Sequence, residues 1–223
     1  MAHPYYHAVS SARRFGGDAA DYLAAHEFMD HTKAHLADCR HRLFLHNTWG
    51  VFFSEKILGT TFSRLSDHKI MPLRPILEQH IVEDFGFIPS LKHCLDSLAP
   101  EPLLNDDDDT FVHSQQSSIS FGGAARDYLF IHRALNAPRD VLADRRSQRV
   151  LHNSWGITLL LRLLGDTCKR PSDGSTISIR PILEDHIRCD LGYIPTLEES
   201  VSEIAIEAWM YRSTLPLSQS PSQ

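Results

Sequence analysis

Sliding the chain along itself by 106 residues aligns residues 7–98 with 113–204 without a gap, and 37 of the 92 pairs are identical. His7 falls on His113, His26 on His132, His46 on His152, and Glu78-Gln79-His80 on Glu184-Asp185-His186. Self-similarity at this level restricts the chain to two like units, each a complete supersecondary assembly. It also provides a comparison inside one molecule. Positions kept in both copies serve the common scaffold or a shared site, and positions kept in one copy are dispensable for folding.

Each copy reads as mainly helical, about four helices with a short β-hairpin. Phe15-Gly16-Gly17 and Phe121-Gly122-Gly123 are turns that open a first helix, with Asp18 and Asp21 in a capping arrangement. Asp30 and Asn136 are N-cap residues for a long second helix reaching Leu58 and its counterpart, which Gly59 and Gly165 end. Ser172-Asp173-Gly174 marks a hairpin turn within 166–179, and 60–73 follows suit. Arg74-Pro75 and Arg180-Pro181 launch a third helix that stops at Gly86 and Gly192. Ile88-Pro89-Ser90 and Ile194-Pro195-Thr196 lead into the last helix.

The expected domains are a first helical repeat over 1–98, an acidic, proline-rich linker over 99–112, a second repeat over 113–213 and a disordered tail over 214–223. Two units with equivalent apolar faces are expected to pack about a pseudo-twofold axis, an intramolecular dimer that leaves the chain a monomer.

Composition narrows the function classes. A net charge of -6 and pI near 6.1 speak against nucleic acid as partner. No apolar run approaches the ~20 residues of a membrane span, and the N-terminus lacks the basic and apolar segments of a secretory leader. None of the four cysteines recurs at the repeat offset and there is no Cys-x-x-Cys, as expected for free thiols in the cytoplasm. Gly-rich phosphate loops, Gly-x-Ser-x-Gly and His-Glu-x-x-His are all missing, which argues against nucleotide-binding, serine-hydrolase and zincin readings.

The histidines carry the chemistry: 14 are present, and four recur. At about 100° per residue, His80 and Asp84 fall inside the arc bounded by Ile76 and Phe85 on the third helix, and His186 and Asp190 do the same. A histidine and a carboxylate on a core-facing arc must be paired or ligated. His46 and His152, one residue off an apolar stripe, and His26 and His132, after Tyr-Leu pairs, face the same way. The expected metal ligands are therefore His26, His46, His80 and Asp84, with His132, His152, His186 and Asp190 in the second copy. That set suits zinc or iron.

Residues found in one copy are the candidate acid–base groups: His41, Glu55 and Glu83, opposite Ser147, Leu161 and Cys189. His31, His35 and Cys39 form a further stripe at i,i+4,i+8 that reads as solvated helix surface. Arg42 is placed to pair with Asp38 at i,i+4, or to bind an anion beside His41 and Arg40.

The string His3-Pro4-Tyr5-Tyr6-His7-Ala8, then Asp38-x-Arg40-His41-Arg42, then Glu78-Gln79-His80-x-x-Glu83-Asp84-x-Gly86-x-Ile88-Pro89-Ser90, resembles a family of small uncharacterised single-domain bacterial and phage proteins. The resemblance covers nearly all of the first copy and extends to the second in degraded form. It implies no activity. Two functions remain: a metal-dependent enzyme acting on a small-molecule substrate, most simply by hydrolysis and with the first copy catalytic, or a non-catalytic helical module whose buried His/Asp pairs are structural.

Overall fold

The computed structural model describes residues 3–103 and 109–211. Two compact units emerge, the first comprising Met1–Ser97 with Ile204–Gln223, the second Leu98–Glu203. The unit boundaries therefore do not coincide with the repeats: Arg42 donates to Met210 O within the first unit, and Arg146 to Leu98 O within the second. The expected tail at 214–223 and residues 104–108 of the expected linker lie outside the described residues. The rest of that linker ends in a helix, because α6 begins at Asp109.

The first unit runs α1 (Pro4–Phe15), α2 (Ala20–Met29), α3 (Thr48–Leu58), a hairpin of β1 (Thr61–Ser63) and β2 (Ile70–Pro72), α4 (Arg74–Phe85) and α5 (Leu91–Cys94). The second runs α6 (Asp109–Phe121), α7 (Leu129–Asn136), α8 (Gln148–Leu151), α9 (Ser154–Leu164), β3 (Thr167–Lys169) paired with β4 (Thr176–Ser178), α10 (Arg180–Leu191) and α11 (Leu197–Val201). The mainly helical repeat with a hairpin in each copy is as the sequence predicts. No helix among the described residues is long and apolar enough to cross a membrane. The described cysteines are free thiols.

Two local expectations fail. Residues 4–15 form a helix of their own, α1, capped by the His3 side chain and with Pro4 in its first turn. The long second helix does not exist. The chain leaves α2 at Asp30, makes 3₁₀ turns at His31–Ala34 and Cys39–Leu43, and restarts at Asn47. Asn47 is extended (φ -148°, ψ 172°) and accepts the Gly50 N–H at 2.9 Å, a stronger start signal than Asp30, whose side chain makes no cap bond. This break removes the His31/His35/Cys39 stripe, which needs one continuous helix.

A network of hydrogen bonds ties the hairpin, the turn before α2 and α2 together, and both units repeat it. Arg64 donates to Phe15 O at 2.9 Å, Tyr22 donates to Gly16 O at 2.7 Å, and Asp21 accepts from Asp18 N, Ser66 N and Ser66 Oγ. Partial burial raises the Asp21 carboxyl, but the Ser66 hydroxyl and the N–H groups of Asp18, Ser66 and Leu65 outweigh it and bring the pKa to about 2. A carboxylate depressed in the folded chain stabilises it above the unfolded value and loses that contribution as pH falls through the folded one. Asp21→Asn is therefore expected to lower Tm at neutral pH and to flatten its fall between about pH 4 and pH 2. Thermal melts of both proteins across that window check it; parallel curves would show that Asp21 contributes no charge-dependent stability.

Candidate metal centre

Four separate pieces of the first unit bring polar groups into its apolar interior. His7 comes from α1, His26 and Asp30 from α2 and its end, His46 from the loop before α3, and His80 and Asp84 from α4. Ile76, Leu77, Ile81 and Phe85 bury the same helix face, so His80 and Asp84 are carried inward with them, both fully buried.

The Nε2 atoms of His46 and His80 face each other at 3.0 Å. Asp84 Oδ2 lies 3.2 Å from His46 Nε2 and 3.5 Å from His80 Nε2. Asp30 Oδ1 lies 3.7 Å from each. Ligands at 2.0–2.1 Å around a tetrahedral zinc-sized ion are separated by about 3.3–3.4 Å, and these five edges bracket that value. Asp30, His46, His80 and Asp84 thus form a buried set able to hold one ion.

The surrounding contacts point the same atoms inward. Arg42 Nη2 donates to Asp84 Oδ1 at 2.7 Å and Lys33 Nζ to Asp30 Oδ2 at 2.5 Å. The opposite oxygens, Asp84 Oδ2 and Asp30 Oδ1, are buried and have no hydrogen bond. Such orphan acceptors are costly unless something cationic meets them. Behind His80, His26 Nδ1 shares a hydrogen bond with His80 Nδ1 at 2.9 Å, and His26 Nε2 is 2.9 Å from Ser11 Oγ. His26 therefore orients His80 and stands outside the four-residue set.

Burial keeps His46 and His26 neutral, and neutral imidazole is the form a metal requires. Burial pushes His46 down to about 3, with His80 adding to the effect, and burial with His80 and His7 pushes His26 down to about 2. Burial works to raise Asp84, yet contacts to His46, His7 and His80 hold it well below the carboxylate range. His7 is the exception: burial opposes its protonation, but Asp84 and Glu83 together raise it.

The three proposed acid–base residues separate. Glu83 accepts from His7 Nδ1 at 2.7 Å, from Ser10 Oγ at 2.5 Å and from Gln79 Nε2 at 2.6 Å, so it anchors the ring that stacks 4.0 Å from His80. His41 lies near the cluster: its Nδ1 is 2.6 Å from Asp38 O and its Nε2 is 4.0 Å from Asp30 Oδ1. Glu55 points elsewhere and is bound by Arg74 at 2.6 Å. Its carboxylate is held there, outside the four-residue set. Arg42 does not pair with Asp38 on the surface. Arg40 takes Asp38 instead, and Arg42 is buried against Asp84 with its guanidinium 5.3 Å from the Phe85 ring.

The second unit holds a reduced version. Asp190 Oδ1 is 2.9 Å from His113 Nε2, and Oδ2 is 3.2 Å from His152 Nε2 and 3.4 Å from His186 Nε2. His132 Nδ1 meets His186 Nδ1 at 2.7 Å, with burial first among the causes holding His132 down to about 4. His113, His186 and Asp190 form the group close enough for an ion.

Both copies match one family, described as a domain of unknown function (DUF6915), over residues 2–104 and 108–210. The chain belongs to that family. No curated protein and no solved structure matches it.

Two departures between the DUF6915 copies fall at the centre. Asp30 becomes Asn136, which donates to Thr110 Oγ1 at 3.2 Å, and Arg42 becomes Gln148, which donates to Asp190 Oδ2 at 2.9 Å. The second DUF6915 copy thus has one carboxylate where the first has two. His7, Asp30 and Arg42 were the residues that sequence reasoning left out. His7 had a visible signal, since it recurs as His113.

Proposed function

We propose that the first unit is a metal-dependent enzyme acting on a small molecule, most simply a hydrolase, with zinc or iron held by Asp30, His46, His80 and Asp84. One observation carries this reading. The second unit folds the same way with Asn136, Ser147, Gln148 and Cys189 in place of Asp30, His41, Arg42 and Glu83. The fold therefore does not demand these groups, and burying two more carboxylates and a guanidinium opposes folding unless it serves something else. A bound ion supplies Lewis-acid polarisation of a substrate oxygen. Around it, Arg42 and Lys33 fix the outer carboxylate oxygens, His26 sets the orientation of His80, and the Glu83–His7 pair is placed to pass a proton between the interior and the α1–α4 surface.

Purified protein is expected to contain about one transition-metal ion per chain. Elemental analysis with chelation tests this, and protein that neither retains nor takes up an equimolar divalent ion sinks the reading. The closure of the site favours a second reading, a structural metal in a binding module, because a set of four protein ligands leaves no open position. The two separate on chelation. A catalytic ion can be removed with hydrolysis of ester and phosphate substrates lost and the helical signal kept, whereas removal of a structural ion unfolds the unit.

A further inference from the structure

A groove of about 640 Å³ opens between α1 and α4 of the first unit. That volume lies within the ~300–1,000 Å³ of small-molecule sites. Its floor is polar: Ser10 donates to Glu83 Oε1 at 2.5 Å, and Gln79 Nε2 donates to Ser10 Oγ at 2.9 Å and to Glu83 at 2.6 Å. Pro75, Val82 and Ile88 make one apolar wall. Arg13 and Arg14 make the other side, both exposed and, among the described residues, without a carboxylate partner. Arg14 lies 5.2 Å from the Phe15 ring, which limits its wandering. Glu78 also lines the groove, and its charge acts on Arg74.

The groove is not isolated from the buried cluster. Glu83 Oε2 is 2.7 Å from His7 Nδ1, and His7 Nε2 is 3.5 Å from Asp84 Oδ1. One imidazole thus separates its floor from a proposed metal ligand. The second copy replaces the groove's polar residues: Ser10, Arg13, Arg14 and Glu83 become Gln116, Ile119, Ser120 and Cys189. Folding needs none of the four.

We propose that this groove binds a small organic anion, its carboxylate or phosphate head on Arg13 and Arg14, its apolar body on Pro75, Val82 and Ile88, and its polar reacting end at Ser10, Gln79 and Glu83. The binding site stands by itself; its role as the substrate groove rests on the metal-enzyme reading above.

Calorimetric titration of the full chain with phenyl phosphate, phenylacetate and neutral benzyl alcohol tests it, in wild type and in the double variant Arg13→Ala/Arg14→Ala. At least one anion is expected to bind about tenfold or more tightly than the alcohol, and the double variant to lose that preference at unchanged Tm. Which anion wins identifies the head group. Absence of anion binding, equal affinity for the alcohol, or full affinity in the double variant overturns the proposal. Repeating the titration on chelated protein separates the two readings. Anion binding with no metal at the cluster leaves the groove and removes the metal, while metal without anion binding does the reverse.

Discussion

His80→Ala is expected to abolish metal retention by the first unit, and His186→Ala to leave the metal content unchanged. The first substitution deletes an imidazole whose Nε2 lies 3.0 Å from His46 Nε2 and 3.5 Å from Asp84 Oδ2. It leaves the four-residue set one ligand short. The second acts where Asn136 already replaces one carboxylate. Elemental analysis after dialysis should fall from about one ion per chain to near zero in His80→Ala alone. Both variants also strip a partner from a buried imidazole, His26 or His132, which costs ~1–3 kcal/mol. A structural His/Asp cluster without metal predicts only that loss, equal in both variants. Equal destabilisation with no metal in the wild type would rule out the metal centre.

Gly50→Ala should destabilise the first unit by about 3 kcal/mol or more, against the usual gain of about 1 kcal/mol for this change inside a helix. A Cβ at Gly50 would lie 2.2 Å from Leu45 O and 2.6 Å from Leu45 C, backbone atoms that cannot rotate away. The loop carrying His46 crosses there, so the variant should also weaken metal retention. Gly156→Ala meets Leu151 O at 2.0 Å and should destabilise the second unit comparably while leaving the metal in place. Denaturant unfolding with metal analysis checks both. A stabilised Gly50→Ala protein would mean that the loop lies elsewhere.

Local chemistry was legible wherever a short-range signal acts alone. Pro75 starts α4 and Gly86 ends it in the left-handed region at φ 81°, as the sequence indicates. The hairpin turn is also as expected, and His68 adopts φ 60° where the second copy has Gly174. The reading failed where two signals competed. Asp30 resembles a helix cap, but its carboxylate meets Lys33 and the buried imidazoles, so the cap falls to Asn47 instead. Reading the stretch from Asp30 to Leu58 as one helix put His46 on a helix face, whereas it sits in the loop before α3. Missing α1 left His7 without a place, although its recurrence marked it.

Arg42 shows the limit most clearly. By spacing it pairs with Asp38, yet a 3₁₀ turn gives Asp38 to Arg40 and sends Arg42 inward to Asp84 and to Met210 O. That last partner lies 168 residues along the chain from Arg42, a closure that no local pattern announces. By itself, the sequence determined the repeat, the helix boundaries set by proline, glycine and capping residues, and the inward face carrying His80 and Asp84. Each follows from interactions within a few residues or from comparing one copy with the other. Only the tertiary structure decided that Asp30 joins the cluster, that His26 stands behind it, that Glu55 is excluded and that Glu83 links it to a groove. Those outcomes depend on atoms up to 76 residues apart meeting at hydrogen-bond distance, as His7 and Glu83 do. Spacing along a chain cannot specify such meetings, because helix packing and loop closure set them.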